Sequence, residues 1–249
     1  MRVNYTVVAS TKDVASLSIL NAVSLRYPEI PTEVIEEELV FCDKEIFERF
    51  SGIIFASRHE SLSLMPSLLV HAPGNWGEVF HGGRKGGLCP TDARLMRRIA
   101  MALSARAANT HYQVMQECTH HGPFVEKTAI FLEIGSDEKE WTNEAAAGII
   151  ADSLHQALSV DDSAVNAIGI GGPHYAPAFN KLLAKGYAFG HICPKYALKD
   201  LNKDTLMQAM AKSQADIAIL DWKGLGSEKQ RIISLLEETG IKYLKNSEI

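Results

Sequence analysis

Residues 128–172 read TAIFLEIGSDEKEWTNEAAAGIIADSLHQALSVDDSAVNAIGIGG, and three successive patterns in them decide the fold. In TAIFLEIG, Ile130, Leu132 and Ile134 alternate with Ala129, Phe131 and Glu133, which is the period of a strand. From Asn143 to Leu158 the spacing becomes helical: Ile150, Leu154 and Leu158 line one face, and Asn143 stands at the N-cap. VNAIGIGG is again short, apolar and closed by glycines, so a second strand follows.

The same alternation extends in both directions. Strands are predicted at VNYTVVAS (3–10), EELVFCD (37–43), GIIFASR (52–58), SLLVHAP (67–73), YQVMQE (112–117), YAFGHIC (187–193) and DIAILDWKG (216–224). Helices are predicted over residues 13–26, 91–107, 175–185, 204–213 and 227–239, with Thr91 capping the second and Gly240 closing the last. In the helix 91–107, Leu95, Ile99, Ala102 and Leu103 share a face, and Arg94, Arg97 and Arg98 lie mostly opposite. Strands alternating with helices imply an α/β fold, a three-layer α/β/α core around a largely parallel or mixed sheet, in one domain spanning residues 1–249. Pro73–Pro90 interrupts the alternation: six glycines in eighteen residues predict a mobile loop or small inserted lobe, with Trp76, Arg84 and Lys85 inside it.

A formal charge of −5 excludes a surface that is basic on average, so a nucleic-acid partner has to be argued from local features. The four cysteines form no CxxC pair, which fits reduced thiols, and neither a leader nor an apolar run of membrane-spanning length is present. A cytoplasmic monomer with no membrane partner is the expectation.

Polar and glycine-containing clusters repeatedly follow the carboxyl ends of predicted strands. SRHES follows GIIFA, HAPGN follows SLLV, CTHHGP follows YQVMQE, and GGPHY follows AIGI. Loops at those ends converge on a crevice in open α/β sheets, so His59, His71, His120, His121 and His174 can share one site. Each also has a structural reading. His59 can be a loop ion pair with Glu60, and His71 can simply bond backbone. Adjacent His120 and His121 point to opposite sides of an extended chain, which favours His120 unless the turn at Gly122-Pro123 intervenes. His174, before a predicted helix, can face an anion or merely follow a packing turn.

Glu133 is the sharpest anomaly, because a carboxylate in an apolar strand needs a histidine, a cation or a proton unless that strand is a wet edge. Histidines with one carboxylate suit a zinc ion that acidifies water and polarises a carbonyl. A metal-free version would use a histidine as general base, with backbone amides of Gly171 and Gly172 holding an oxyanion. GxxxxGK[ST], GxSxG and GxGxxG are all absent, which argues against ATP, a serine hydrolase and a dinucleotide.

Read together, SRHES, HAPGNWG, LCPTD, ECTHHGP, FLEIGS followed by Trp141, GIGGPHYAP, FGHI and LDWKG resemble the archaeal and plant type of D-aminoacyl-tRNA deacylase over nearly the whole chain. The resemblance implies hydrolysis of the ester between a D-amino acid and the terminal adenosine of tRNA, with broad side-chain tolerance. It also implies two zinc ions per chain and a phosphorylase or peptidase type of core. It places the site at Thr119, His120, Glu133, His174 and His59 with Glu60. His59, His120 and His174 are then expected to ligate metal or activate water, and Glu133 to act as general base or bridging ligand. Trp76, Arg84 and Lys85, with the helical arginines, are the expected contacts to the single-stranded 3′ end. A zinc peptidase or amidohydrolase, and a non-catalytic tRNA binder, remain the alternatives.

Overall fold

A computed structural model describes residues 4–42 and 44–249. Among the described residues ten strands form two sheets. The first has the order β2 (Thr32–Ile35), β1 (Tyr5–Ser10), β3 (Gly52–Glu60), β6 (Thr128–Ser136), β4 (Ser67–His71), β5 (Gln113–Gln116). Its first four strands run parallel, and β4 and β5 run against them. The second sheet is wholly parallel, in the order β10 (Tyr243–Lys245), β9 (Ile217–Leu220), β7 (Val165–Ile170), β8 (Tyr187–Cys193).

The expected α/β layering is present, but the strand–helix–strand unit at residues 128–172 connects two sheets instead of returning to one. The helix α2 (Ala93–Ala107) explains the division: it packs on β4 and β5 of the first sheet and on β7 and β8 of the second, so each sheet buries one face against it. With α1 (Val14–Arg26) and α4 (Glu144–Ser159) it covers the even-numbered face of β3 and β6, where Ile54, Ala56, Ile130, Leu132 and Ile134 are fully buried. Burying such side chains contributes about 1.5–3 kcal/mol each. The far face of the second sheet buries Ile168, Ile170, Ala218 and Leu220 with residues of α6 (Lys203–Lys212) and α7 (Lys229–Thr239). The short α3 (Glu138–Trp141) and α5 (Pro177–Leu183) complete the α-helices among the described residues.

Several local expectations need correction. EELVFCD forms a 3-10 turn at Leu39–Phe41, because the sheet edge beside β1 is already taken by β2; Asp43 lies outside the described residues. The N-cap of α2 is Asp92, whose carboxylate accepts from Leu95 N, while Thr91 donates its hydroxyl to Ala129 O. Asn143 does cap α4, and Gly240 closes α7 with φ +68°. Arg94, Arg97 and Arg98 are half-buried and bonded to backbone, not a freely solvated face. Their Nε atoms donate to the carbonyls of Ala164, Leu183 and Ala157, which ties α2 to loops and helix ends around it.

Pro73–Pro90 folds back on itself as an irregular hairpin. Asn75 N donates to Gly87 O, Gly86 N to Gly77 O, and Cys89 N to Pro73 O. Trp76 is not a free loop aromatic: it is buried with Leu88 against the second sheet's core. Among the described residues no helix is long and apolar enough to cross a membrane.

Candidate active site

Strand parity builds the site. In the paired register Ser57 lies beside Glu133, His59 beside Gly135, and His71 across from Phe131. These side chains therefore point to one face of the first sheet, opposite the helices. β6 lies between β3 and β4, so Glu133 is an interior residue, and the edge-strand explanation for it fails. The site consequently sits on the sheet's face as well as at its strand ends, because antiparallel β4 carries His71 back along β6.

Two loops close over this face. One follows β5 and delivers Glu117, Cys118, His120 and His121; the other follows β7 in the second sheet and delivers His174. The five histidines expected to converge do so. The rings of His71 and His120 stack with centroids 4.1 Å apart, and His121 lies 4.3 Å from His120 and 4.8 Å from His71. His174 lies 4.6 Å from His120.

Both His120 and His121 enter the cluster because His121 takes a left-handed backbone, φ +44°, which reverses the chain between them. Gly122 then passes so close to Gly82, Gly83 and the Val40 carbonyl that a Cβ would collide with their backbone. Glycine is needed opposite His59 as well, since a Cβ at Gly135 would meet its ring and Ser67 Oγ. The indole N–H of Trp141 donates to His59 O at 3.1 Å and holds the end of β3.

Glu133 Oε2 lies 3.5 Å from His59 Nδ1, and Oε1 lies 3.5 Å from His71 Nε2. Burial opposes its ionisation, but those two histidines outweigh burial and hold the carboxyl well below the usual carboxylate range. Glu117 is equally buried. Its Oε1 is 2.9 Å from His174 Nε2 and 3.6 Å from His59 Nδ1, yet neither carboxylate oxygen receives a well-aligned hydrogen bond. His71 Nε2 is similarly orphaned.

The remaining ring nitrogens explain the orientation. Nδ1 of His71, His120 and His121 faces the carbonyl of Ala72, Cys118 and Gly122 at 3.3, 2.9 and 2.7 Å. That arrangement fixes each tautomer and aims Nε2 inward, as in histidines that ligate metal. Burial, then the neighbouring histidines, pushes His120 well below the ordinary imidazole value, and burial with His71 pushes His121 down to about 3. Both are neutral and ready as ligands at neutral pH. His174 moves the other way: burial opposes its charge, but Cys118 and Glu117 raise it to about 11.

The donor set passes the test for a divalent cation. His71, His120 and His121 offer ligand atoms within 4.8 Å of one another; so do His59, Glu117 and Glu133, and also Cys118, His120 and His174. Nitrogen and carboxylate oxygen together suit zinc. A buried carboxylate and an imidazole nitrogen with no aligned partner are costly without an occupant, by about 1–3 kcal/mol each or more for the charged group.

Other expected residues lie apart from this cluster. Thr119 Oγ1 bonds His191 Nδ1 at 3.0 Å and accepts from Ile192 N, and His191 Nε2 faces Cys89 O; this pair braces the loop from beneath. Gly171 N–H donates to Cys193 O at 2.8 Å, so it is not available to an oxyanion, and Gly172 packs beside Asp221 just beyond the ends of β7 and β9. Glu60 is exposed and lines the same cavity as His59 and Glu133. Arg84 stacks on Phe124, 3.9 Å from the ring centroid, and exposed Lys85 pairs with Glu78. Sequence reasoning missed Glu117 as a site residue and left His71 and His121 as secondary. The available signal was Glu117 itself, a second acid at the end of a strand directly ahead of the histidine pair.

Comparison with known proteins adds to this geometry. A family model described as D-aminoacyl-tRNA deacylase matches residues 46–244. A D-aminoacyl-tRNA deacylase of Methanocaldococcus jannaschii is 36% identical over 96% of the chain and 98% of its own length. One from Pyrococcus furiosus is 36% identical over 84% of the chain and 82% of its own length. A crystal structure described as a conserved protein of unknown function superposes with a TM-score of 0.91, at 28% identity, over 98% of this chain and 96% of that one.

Proposed function

The chain belongs to the D-aminoacyl-tRNA deacylase family, hydrolases of aminoacyl-tRNA esters, and from that premise we propose that its His/Glu cluster activates the water that cleaves the ester. The observation that carries this reading is Glu133, a buried carboxylate between His59 and His71 with orphaned donor atoms around it. We assign two zinc ions to the cluster. His71, His120 and His121 would hold one, and His59 and Glu117, with Glu133 beside them, the other. Bound zinc would supply Lewis acidity, lowering the pKa of water and polarising a carbonyl.

The chain's own groups do the rest. Glu133 accepts a proton from the attacking water as its oxygen bonds to the ester carbonyl carbon. The carbon–oxygen bond to the terminal ribose then breaks, and the proton passes to the departing ribose oxygen. The products are a free D-amino acid and tRNA with an intact 3′ end. Broad tolerance for the D-side chain is supported by the space beside the cluster, where a cavity of about 360 Å3 is lined by Glu133, His120 and His121. A net charge of −5 suits capture of a short single-stranded end over tracking along a helix.

Zinc titration tests the assignment. The metal-free protein is expected to take up two equivalents, measured by calorimetry and metal analysis. Glu117→Gln is expected to weaken one of them about 10–100-fold and to lower turnover with it. Unchanged stoichiometry, affinity and turnover in that variant would remove Glu117 from the site.

A further inference from the structure

Two cavities of unlike chemistry meet at the His120 and His121 pair. One, of about 360 Å3, lies on the side of His59 and Glu133 and is lined by charged groups that include Lys12, Arg58 and Glu60. The other, of about 590 Å3, lies between residues 74–81 and 196–200, and its walls include Trp76, Phe80, Tyr196 and Ala197. Phe80 is 93% exposed and Tyr196 is 59% exposed, so two aromatic faces stand open to water beside the cluster. Exposed aromatic surface next to a concave site is a mark of ligand binding.

Hydrolysis of an aminoacyl ester requires two such spaces, because the reacting bond joins an amino acid to a nucleoside. We infer that the aromatic cavity receives the adenine of the substrate's terminal adenosine, with Phe80 and Tyr196 as its stacking surfaces, and that the amino acid occupies the charged cavity. The inference rests on the deacylase reading and adds to it where each half of the substrate lies.

Three observations favour this orientation over the reverse. The aromatic cavity is the larger, as the larger half of the substrate requires. Its Tyr196 is positioned from the cluster itself: the hydroxyl lies 3.4 Å from both Cys118 Sγ and His174 Nδ1, which leaves the ring projecting outward beside the reacting bond. The cavity also adjoins a third, of about 360 Å3, with which it shares Trp76, Gly77, Glu78, Lys199 and Asp200 and which adds Lys85, paired with Glu78, and Arg231. The lysines and arginine there, Lys85, Lys199 and Arg231, lie where the phosphates of the preceding nucleotides would leave the aromatic cavity. This places Lys85 on the path of the 3′ end and makes Phe80 and Tyr196, instead of buried Trp76, the aromatic platform.

The test uses the zinc-loaded protein and two small probes. Adenosine and D-tyrosinamide are measured as competitive inhibitors of D-tyrosyl-tRNA deacylation, and 2-aminopurine riboside is titrated by fluorescence, which does not depend on turnover. Phe80→Ala and Tyr196→Leu are each expected to weaken adenosine and 2-aminopurine riboside about tenfold, the scale of one base–aromatic stack. Tyr196→Phe, which keeps the ring, restores both, and D-tyrosinamide is unaffected throughout. The opposite pattern, D-tyrosinamide weakened and adenosine not, would overturn the assignment, and so would equal affinities in all the variants. If the unaltered chain fails to deacylate while 2-aminopurine riboside still binds and still responds to Phe80 and Tyr196, the deacylase reading fails and the base cavity stands.

Discussion

Glu133→Gln yields a folded protein whose deacylation rate falls by about three orders of magnitude, within the range for loss of a general base. Gln keeps the shape of the side chain between His59 and His71, where the carboxylate oxygens now lie 3.5 Å from each ring. It removes the charge and the basicity, so the proton of the attacking water has no acceptor. Substrate affinity is expected to change much less than kcat, because Glu133 acts on the attacking water and Gln keeps the shape of the cavity it lines. Metal content measured on the same preparation separates the two roles proposed for it: zinc retained with turnover lost marks a base, and zinc lost with turnover marks a bridging ligand. A Glu133→Gln protein that folds and turns over at the normal rate would remove this residue from the chemistry.

The largest effect on stability is expected at Phe131. This ring is fully buried, stacks parallel on His71 at 5.0 Å, meets His121 edge-on at 4.8 Å, and packs on Phe55 at 4.8 Å. It is thus a core residue and the floor of the histidine cluster. Phe131→Ala should cost about 3–5 kcal/mol in a denaturant titration, from lost apolar burial and the cavity left behind. It should also weaken zinc, since His71 and His121 lose the surface that orients them. Phe131→Leu, which keeps much of the volume, is expected to recover most of the stability. If Phe131→Ala shifts the denaturation midpoint by less than a single methylene would, the packing described here is wrong.

Periodicity made most of the fold legible because it reports which face of an element is buried. TAIFLEIG alternates in the sequence and in the sheet, and Asn143 caps the helix it was expected to cap. Periodicity does not report which neighbour covers that face. The two sheets were therefore not visible, since α2 serves both with a single apolar stripe. Nor was the reversed direction of β4, which a strand's own residues do not encode.

The site divides in the same way. Glu133 was legible because an acid violates its strand's pattern, and the histidines because they follow strand ends. His121 was discounted by a rule for extended chains that its left-handed backbone breaks. Thr119, Gly171 and Trp76 looked functional by position in their motifs, but each is committed to the framework behind the cluster. Glu117 was passed over because its partners, His59 and His174, come from other strands of the fold.

The central claim is most directly tested by following hydrolysis of D-tyrosyl-tRNA and L-tyrosyl-tRNA by the purified protein, before and after chelation and again with zinc restored. The account predicts cleavage of the D-ester alone, loss of that cleavage on chelation, and recovery with zinc. Undiminished cleavage of the D-ester by thoroughly chelated protein would contradict the metal assignment, and failure to cleave either ester with zinc present would contradict the function itself.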